Sequence, residues 1–561
     1  MLVYNPRNAK EQKFSDRYAE SRSSFFVYVP KEENTMRKLL ISKNVFDGEK
    51  YIGAAGIVVE GDKIDGVVPY DAERTGMEVV DFGKALLMPG FIDAHTHFFS
   101  GAESMSRYIC TKVREAESEK ECVAMMREFA DENPELKILR GEGWFIGNWT
   151  DRTMPDKRSL DEAFPDKPVY MRCADGHSYW INSAALRQCG IDKNTMPASG
   201  YIGKFDNGEL SGMLIEPEAY KPADDIYYNF SKKEQEEIYE DFFKITAGYG
   251  ITGLGEMFAE DYTGQIKVRY ELMKKLDKES RVKARVYIYT KLFDYTDFQK
   301  AKEWQKEFNT ENVRIGGVKG FVDGVAENYT ALMLKPYSDR PETCGDAVPL
   351  RTYEEIEKSV KAANEAGLQV RLHCIGDGAV RMALDIYEKA ACMDCNTIEH
   401  IESIDPEDIQ RFKQIGVIPS MQPEHLVLDN NNKIIRIGEE RARHEWPLRT
   451  MYEATERLSI GTDFPVVEIN PFRTIYSAVT RCDHKGNPTG CNPDEKLTME
   501  QVLTGYTKNA AAAYNSKTTG MLKAGMSADI IAIDRNLFDI EPEEILNSKV
   551  IFTMFEGKQI Y

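Results

Sequence analysis

Histidine is scarce in this chain, with 8 residues among 561. Long apolar runs are also missing, because no stretch has the length of a membrane-spanning helix, and Phe25–Val29 is too short for a secretory core. Basic residues are outnumbered, since 72 Lys and Arg face 92 Asp and Glu and leave a net charge of -20. Such a charge argues against nucleic-acid and anionic-membrane partners, which would repel the chain. We therefore expect a cytoplasmic protein without nucleic-acid or membrane partners.

Cysteine is present without a disulfide framework, because the 10 residues are scattered along the chain. Reduced thiols fit this pattern better than a secreted, cross-linked protein. Cys392 and Cys395 have the spacing of a metal or redox pair, but no second pair accompanies them, and an ordinary loop is the favoured interpretation. The 42% content of hydrophobic residues permits a large core, and the length suggests two to four domains.

Two of the few histidines, His95 and His97, stand two residues apart after the run Leu86–Ala94. Alternate residues of a strand point the same way, so both imidazoles could hold one metal ion. A strand entered through Pro89 and Gly90 would deliver them to its C-terminal end, where barrel enzymes keep their chemistry. The His-x-His pattern alone is easily a coincidence, so further ligands are needed.

Three other residues end buried-looking strands that follow helix-like segments. His373 follows Leu368–Leu372 and His400 follows Asn396–Glu399, while Asp463 follows Leu458–Thr462 and is succeeded by Phe464. This alternation is typical of the βα units of a barrel. Each residue alone is as readily a core histidine or a helix-capping aspartate. Together they predict a metal site at one rim of the barrel.

Lys319 stands near the C-terminal end of a further predicted strand, Asn312–Phe321. An ammonium there would repel a metal ion. Burial near cations lowers a lysine pKa, so the neutral amine could take up carbon dioxide and become a carbamate that bridges two ions. Pairing of Lys319 with Asp323 or Glu256 explains the residue equally well, and the sequence leaves both interpretations open.

Seven runs carry a resemblance to a known family. They are Pro89–His97, Asp175–Leu186, Val318–Gly324, Ile398–His400, Ser420–Pro423, Gly461–Val466 and Gly525–Ile530. With these runs the chain resembles the amidohydrolase superfamily from about Met36 onward, in the long-chain family 3 branch that includes N-substituted formamide deformylases. One departure is Gly255–Phe258, where that branch commonly has an aspartate at a strand end, and it bears on the substrate pocket.

The resemblance implies a hydrolase that cleaves a non-peptide carbon–nitrogen bond of amide type by metal-activated hydroxide. The cofactor would be a divalent metal, most simply Zn, with two ions per chain if Lys319 is carboxylated. Asp463 would also be the catalytic residue that carries a proton from water to the leaving nitrogen. The implied metal ligands are His95, His97, Lys319, His373, His400 and Asp463.

Further assignments concern the substrate and the alternatives. His177 and Gln422 would bind substrate, and His425 is a weaker pocket candidate. Deamination of a ring amine or hydrolysis of a C–O bond would use the same site, but deaminases usually need no lysine on the fourth strand, so Lys319 discriminates. A non-catalytic scaffold is the remaining alternative, although such relatives typically lose metal ligands. The sequence leaves open whether the chain forms a homodimer.

The predicted fold class is α/β, a (β/α)8 TIM-like barrel with a small flanking β-sandwich built from both chain ends. Eight barrel strands are expected to end near His97, Met257, Thr290, Phe321, His373, His400, Gln422 and Asp463. An aromatic-rich insertion at about 101–245 would follow the first strand, as a lid over the rim or as a core of its own. The predicted domains are a dispensable tail at 1–35, sandwich halves at 36–85 and 516–561, and the barrel at 86–515.

Overall fold

The computed structural model describes residues 37–561 except 151, 175, 260–265, 294–297, 346–350, 391, 429 and 491. The predicted tail at 1–35 and Asp175 of the second family run lie outside the described residues. The described chain forms two compact units, of which one is Arg107–Asn229 and the other combines Arg37–Ser106 with Phe230–Tyr561. None of the helices in this part of the chain combines the length and apolar composition of a bilayer span.

The secondary structure alternates between strands and helices over most of its length. The strands are β1 Lys38–Phe46, β2 Tyr51–Glu60, β3 Lys63–Pro69, β4 Glu78–Asp81, β5 Leu86–Pro89, β6 Phe91–Asp93, β7 Leu139–Trp144, β8 Val169–Cys173, β9 Ser178–Ile181, β10 Tyr201–Lys204, β11 Leu210–Ile215, β12 Ile251–Ala259, β13 Arg285–Lys291, β14 Val313–Phe321, β15 Gln369–Cys374, β16 Thr397–His400, β17 Ile418–Met421, β18 Ser459–Ile460, β19 Ile530–Ile533, β20 Val550–Phe555 and β21 Lys558–Gln559. The α-helices are α1 Phe98–Ser104, α2 Glu119–Glu132, α3 Lys157–Ala163, α4 Ser183–Gln188, α5 Pro217–Tyr227, α6 Lys232–Gly248, α7 Ile266–Lys278, α8 Gln299–Phe308, α9 Tyr353–Glu365, α10 Asp377–Lys389, α11 Ile409–Ile415, α12 Asn430–Ile437, α13 Glu439–Ala442, α14 Leu448–Thr455, α15 Pro471–Thr480, α16 Met499–Thr504 and α17 Ala510–Ala513.

The larger unit contains a barrel of eight parallel strands. Their order is β6-β12-β13-β14-β15-β16-β17-β18, and each hydrogen-bonds its neighbours in parallel register. The Ala94 N–H donates to the Ile460 carbonyl at 3.1 Å, which joins the last strand to the first. Helices follow the strands along the chain, so the predicted (β/α)8 architecture is confirmed.

The first and last barrel strands are shorter than the sequence predicts. β6 ends at Asp93 and β18 ends at Ile460, so His95, His97 and Asp463 lie just beyond strand ends rather than on strands. The cause is the closure of the barrel, where the Asp463 N–H donates to the His95 carbonyl at 2.7 Å and the His97 N–H to the Phe464 carbonyl at 2.8 Å. These two hydrogen bonds hold the histidines beside Asp463. The alternation of side chains along a strand, on which the prediction relied, is not what places them there.

Gly461 lies where the barrel closes, and its missing side chain is a requirement of that closure. A Cβ at this position would lie 2.5 Å from the His95 nitrogen and 2.8 Å from Asp93 Oδ1. Gly461→Ala is therefore expected to lower the free energy of unfolding by about 1–3 kcal/mol, the usual cost of overpacking. Urea denaturation measures the change, with Gly66→Ala as the control because nothing lies within 4 Å of a Cβ there. Equal stability of both variants would contradict the prediction.

A second sheet of the larger unit contains strands from both chain ends. Its order is β21-β20-β19-β5-β1-β2-β3, with β4 beside β1. β19 runs antiparallel to β5, so that Ile530 pairs with Pro89 and Ile533 with Leu86. One face buries an apolar cluster that includes Leu40 and Phe552. The shared sheet is thus observed, whereas its arrangement as a sandwich stays a prediction.

The smaller unit, Arg107–Asn229, has a five-stranded sheet of its own in the order β10-β11-β9-β8-β7. Trp144, Trp149 and Trp180 pack together with ring centroids 5.7–6.3 Å apart, and all three are buried. These aromatic side chains belong to the core of the unit itself. The unit falls between β6 and β12 in the chain, and a role for it as a lid stays a prediction, as do the predicted domain boundaries.

Candidate metal centre

Three side chains of the larger unit converge at the carboxyl ends of the barrel strands. One ligand atom from each of His95, His400 and Asp463 lies within 4.8 Å of the other two. All three residues are buried. Because parallel barrel strands end at one rim, residues distant in sequence meet there. The cluster therefore has the geometry of a site that could hold one cation.

Left-handed backbone at two strand ends helps to build this cluster. His400 has φ +75° and Asp463 has φ +60°, values that non-glycine residues seldom adopt. In a regular strand, Glu399 and His400 would face opposite sides. Here both contact His95, since Glu399 Oε2 lies 2.6 Å from its Nδ1 and the His400 ring centroid lies 4.9 Å from its ring. The change in backbone conformation brings two successive side chains to the same centre.

His95 presents an unprotonated nitrogen to the cluster. Burial opposes ionisation of Glu399, but the effects of Arg371 and His95 outweigh it and hold the pKa of this carboxyl well below its usual range. Glu399 is therefore ionised and can only accept hydrogen bonds. Nδ1 of His95 therefore carries the hydrogen. Burial, together with the nearby Lys319 charge, lowers the pKa of His95 to about 4, which keeps the ring neutral. Its Nε2 lone pair then lies 3.3 Å from Asp463 Oδ1, another acceptor.

His97 is the most exposed of the predicted ligands, with 31% of its side chain accessible. Its Nε2 lies 3.1 Å from Asp463 Oδ1. Burial alone would lower the pKa of His97, but the Asp463 and Glu256 carboxylates outweigh it and raise the pKa. Burial likewise opposes a charged Asp463, whose pKa nevertheless falls well below its usual range because His97 donates a hydrogen bond to the anion. Asp463 is thus a stable carboxylate at neutral pH.

His373 packs against His400, with its ring centroid 4.4 Å from that of His400. Its Nε2 lies 3.2 Å from the Gly324 carbonyl oxygen. Because a carbonyl oxygen can only accept a hydrogen bond, Nε2 of His373 carries the hydrogen. Burial lowers the pKa of His373 to about 3, and burial and the neighbouring His373 lower that of His400 well below its usual value. Both rings are therefore neutral and available as ligands.

Lys319 is buried in the barrel with 1% of its surface exposed. Its Nζ has no hydrogen-bond partner in the described part of the chain. Asp323 instead accepts the N–H groups of Ile375 and Gly376, at 3.0 and 2.8 Å, and Glu256 accepts that of Phe99 at 2.7 Å. Burial lowers the pKa of Lys319 to about 8. About a tenth of the Lys319 amine is therefore neutral at pH 7.

The predicted substrate-binding residues lie in different units. His177 belongs to the smaller unit, where half of its side chain is exposed and Nδ1 lies 3.2 Å from Glu216 Oε2. Gln422 follows β17 in the larger unit and is fully buried, and its Oε1 has no hydrogen-bond partner among the described residues. His425 lies beside the cluster, with Nε2 3.2 Å from the Thr462 carbonyl and 3.9 Å from Asp463 Oδ2. Substrate contact stays a prediction for all three.

Sequence reasoning missed three residues that support the cluster. Glu399 accepts from His95, and Arg371 donates to Glu399 at 3.2 Å. Asp93 accepts the N–H groups of His95 and Thr462, at 3.2 and 2.9 Å, and so ties the first strand to the last. The available signal was the presence of charged residues inside runs that otherwise look like buried strands, because such charges require partners.

Comparison with known proteins agrees with this geometry. The model of the amidohydrolase family matches residues 78–561. The chain belongs to this family. It is 29% identical to Protein LONG AFTER FAR-RED 3 of Arabidopsis thaliana, over 86% of this chain and 84% of that protein. It is 24% identical to the N-substituted formamide deformylase of Arthrobacter pascens, over 90% of this chain and 94% of the enzyme.

A solved structure extends the likeness to the fold. An uncharacterized metal-dependent hydrolase from Pyrococcus furiosus superposes with a TM-score of 0.72 at 26% identity, over 90% of this chain and 100% of that one. Amidohydrolases are generally divalent-metal-dependent enzymes, and the residues of this chain fit such an ion. His95 Nε2 and Asp463 Oδ1 are acceptors facing each other at 3.3 Å, and the buried His400 Nδ1 has no partner among the described residues. Neutral imidazoles with a carboxylate suit zinc and similar ions.

Proposed function

We propose that this amidohydrolase cleaves a non-peptide carbon–nitrogen bond of amide type in a small molecule. The observation that carries the proposal is the pair of facing acceptors, His95 Nε2 and Asp463 Oδ1, at 3.3 Å in a buried pocket. Two acceptors at this distance repel each other unless a cation joins them. The formamide deformylase among the relatives supports the choice of an amide bond.

The residues that would hold the metal are those predicted from the sequence. A divalent ion bound there, most simply Zn, lowers the pKa of water and polarises a carbonyl oxygen. Lys319 would add a second ion as a carbamate, formed when its neutral amine takes up carbon dioxide and releases a proton. The absence of a partner for its Nζ in the described chain supports this proposal. The proposed ligands are His95, His97, Lys319, His373, His400 and Asp463.

Asp463 has the proton-transfer role in the proposed reaction. Its carboxylate stays ionised at neutral pH, because the hydrogen bond from His97 lowers its pKa. It takes a proton from the attacking water and returns it to the leaving nitrogen, which departs poorly as an amide anion. Gln422, whose Oε1 has no hydrogen-bond partner among the described residues, would accept a hydrogen bond from a substrate N–H. His177 is proposed to bind another polar group of the substrate.

The cellular setting belongs to the same proposal. We place the protein in the cytoplasm, where it acts on a small molecule without nucleic-acid or membrane partners. The net charge of -20 supports this placement, since it disfavours association with phosphate-rich surfaces. Measurement of the particle mass in solution distinguishes a monomer from a homodimer.

Metal content and substrate range together test the proposal. The purified protein is expected to contain a divalent transition metal, to lose activity with a chelator and to regain it with Zn or Mn. Substrates are screened as a library of N-formyl and N-acyl amines, with products followed by mass spectrometry. Protein that carries no metal and gains no activity from added Zn or Mn would refute the metal site. Turnover of ring amines or esters alone would favour a deaminase or a C–O hydrolase.

A further inference from the structure

The two oxygens of Glu399 have separate partners in the barrel interior. Oε2 lies 2.6 Å from His95 Nδ1. Oε1 accepts from Arg371 Nη1 at 3.2 Å and from the Thr397 hydroxyl. All of these side chains are buried, and Glu399 and Arg371 have no exposed surface. Each oxygen of the carboxylate is therefore held by a different set of donors.

Arg371 cannot turn away from this position, because its guanidinium is fixed on several sides. Nη1 also donates to the Ala94 carbonyl at 2.9 Å, and Nη2 donates to the Ala513 carbonyl at 2.7 Å. Its Cζ lies 4.4 and 4.6 Å from the ring centroids of Tyr289 and Tyr514. Such cation–π contacts stabilise a buried guanidinium further. The donor facing Glu399 Oε1 is thus a fixed part of the barrel.

We infer that Arg371 and Thr397 orient Glu399 so that it selects the tautomer of His95. With Oε1 occupied by two donors, Oε2 remains to accept from His95 Nδ1. The hydrogen on Nδ1 leaves the Nε2 lone pair for the metal. Glu399 and Arg371 are then positioning residues, which act on the reaction through His95. The inference rests on the proposed metal site. It adds how His95 is kept in the tautomer that can bind the metal.

Glu399→Gln separates this role from simple packing, because the two side chains have the same shape. Arg371 and Thr397 donate to the Oε1 position, so the Gln carbonyl must occupy it and the amide NH₂ must face His95 Nδ1. Nδ1 then accepts, the hydrogen moves to Nε2, and the metal loses this ligand. We expect the Zn dissociation constant to rise about 10–100-fold, the usual effect of losing a partner of a metal-bound histidine.

A second substitution is expected to restore binding. In the double variant Glu399→Gln with Arg371→Met, the guanidinium no longer constrains the amide, and the Thr397 hydroxyl can accept as well as donate. The Gln carbonyl can then turn toward His95 Nδ1 and restore the original tautomer. The double variant also removes both members of the Arg371–Glu399 ion pair, so neither charge is left without the other. We expect its Zn affinity to lie closer to wild type than that of the single variant.

The experiment measures Zn affinity by chelator competition on metal-free protein, with urea denaturation to report stability. The control is Arg285→Met, which breaks a buried pair with Asp529 without contacting the metal cluster, and should lose stability but keep wild-type Zn affinity. Wild-type affinity in Glu399→Gln would overturn the role of Glu399. A double variant as weak as the single one would overturn the orienting role of Arg371. A wild-type protein that binds no metal would instead refute the proposed function.

The tautomer can also be observed without any variant of Glu399 or Arg371. Nitrogen-15 NMR of metal-free wild-type protein, labelled at histidine, distinguishes a protonated ring nitrogen from an unprotonated one. The His95 resonances, assigned by their absence in His95→Gln, are expected to show hydrogen on Nδ1 and none on Nε2. The opposite pattern would overturn the inference, even if the Glu399 variants failed to fold.

Discussion

Asp463→Asn is expected to lower kcat on an amide substrate by about 10²-fold or more, the usual loss when a general acid–base group is removed. Asparagine keeps the shape and one ligand oxygen of Asp463, so most of the metal should stay bound. It cannot move a proton from water to the leaving nitrogen. The acidic limb of the pH–rate profile, which reports protonation of the Asp463 carboxylate, should therefore disappear.

The measurements for this variant are steady-state kinetics across pH and metal content by mass spectrometry. Asp385→Asn is the matched control, because this half-exposed carboxylate pairs with Arg411 away from the metal cluster, and its kcat should be unchanged. Near-normal turnover by Asp463→Asn would assign the proton to another residue. Loss of metal in proportion to activity would show that Asp463 acts as a ligand alone.

Lys319→Met is expected to separate function from stability. Without a carbamate the protein should lose one of two ions, and activity should fall about 10²–10³-fold, since a catalytic metal supplies several kcal/mol. The metal-free protein should become more stable by about 1–3 kcal/mol, because a buried polar group without a partner is removed. Burial already lowers the pKa of Lys319 to about 8, which shows how poorly the site solvates an ammonium.

Lys433→Met is the control for the predicted change in the free energy of unfolding. Lys433 is also buried, but its Nζ forms ion pairs with Glu402 and, at 2.9 Å, with Glu445. Its removal takes one cationic partner from two buried carboxylates and should destabilise the protein by about 3–5 kcal/mol. Chemical denaturation of the two metal-free variants measures the change in free energy of unfolding that each substitution causes. A Lys319→Met protein with full metal content and activity, or with lower stability, would contradict the prediction.

Much of the fold was predictable from the sequence, because the pattern of apolar residues along the chain agrees with the known rules for parallel barrels. Apolar runs separated by helix-like segments predict parallel strands, and parallel strands of a barrel end at one rim. The approach of His95, His400 and Asp463 follows from that topology. The exact strand ends did not follow, because closure of the barrel depends on hydrogen bonds between Ala94 and Ile460, which are distant in sequence.

The support around His95 was not predictable from periodicity. Strand alternation places Glu399 and His400 on opposite faces, whereas the left-handed backbone at His400, with φ +75°, lets both contact His95. Histidine is enriched among the non-glycine residues that adopt this conformation, but the conformation stays too rare to be predicted at one position. The link from Arg371 to Glu399 likewise depends on the pairing of β15 with β16, which only the folded sheet defines.

The sheet shared by the two chain ends has a consequence for synthesis on the ribosome. β5 pairs with β19, so the edge that Leu86–Pro89 offers to Ile530–Ile533 stays open until nearly the whole chain has emerged. At about 5–20 residues per second, this delay is on the order of tens of seconds. An open apolar edge strand is a template for pairing with other chains. We therefore expect chaperones that cover this edge to assist folding, so that expression at low temperature or with added chaperones increases the yield of native protein.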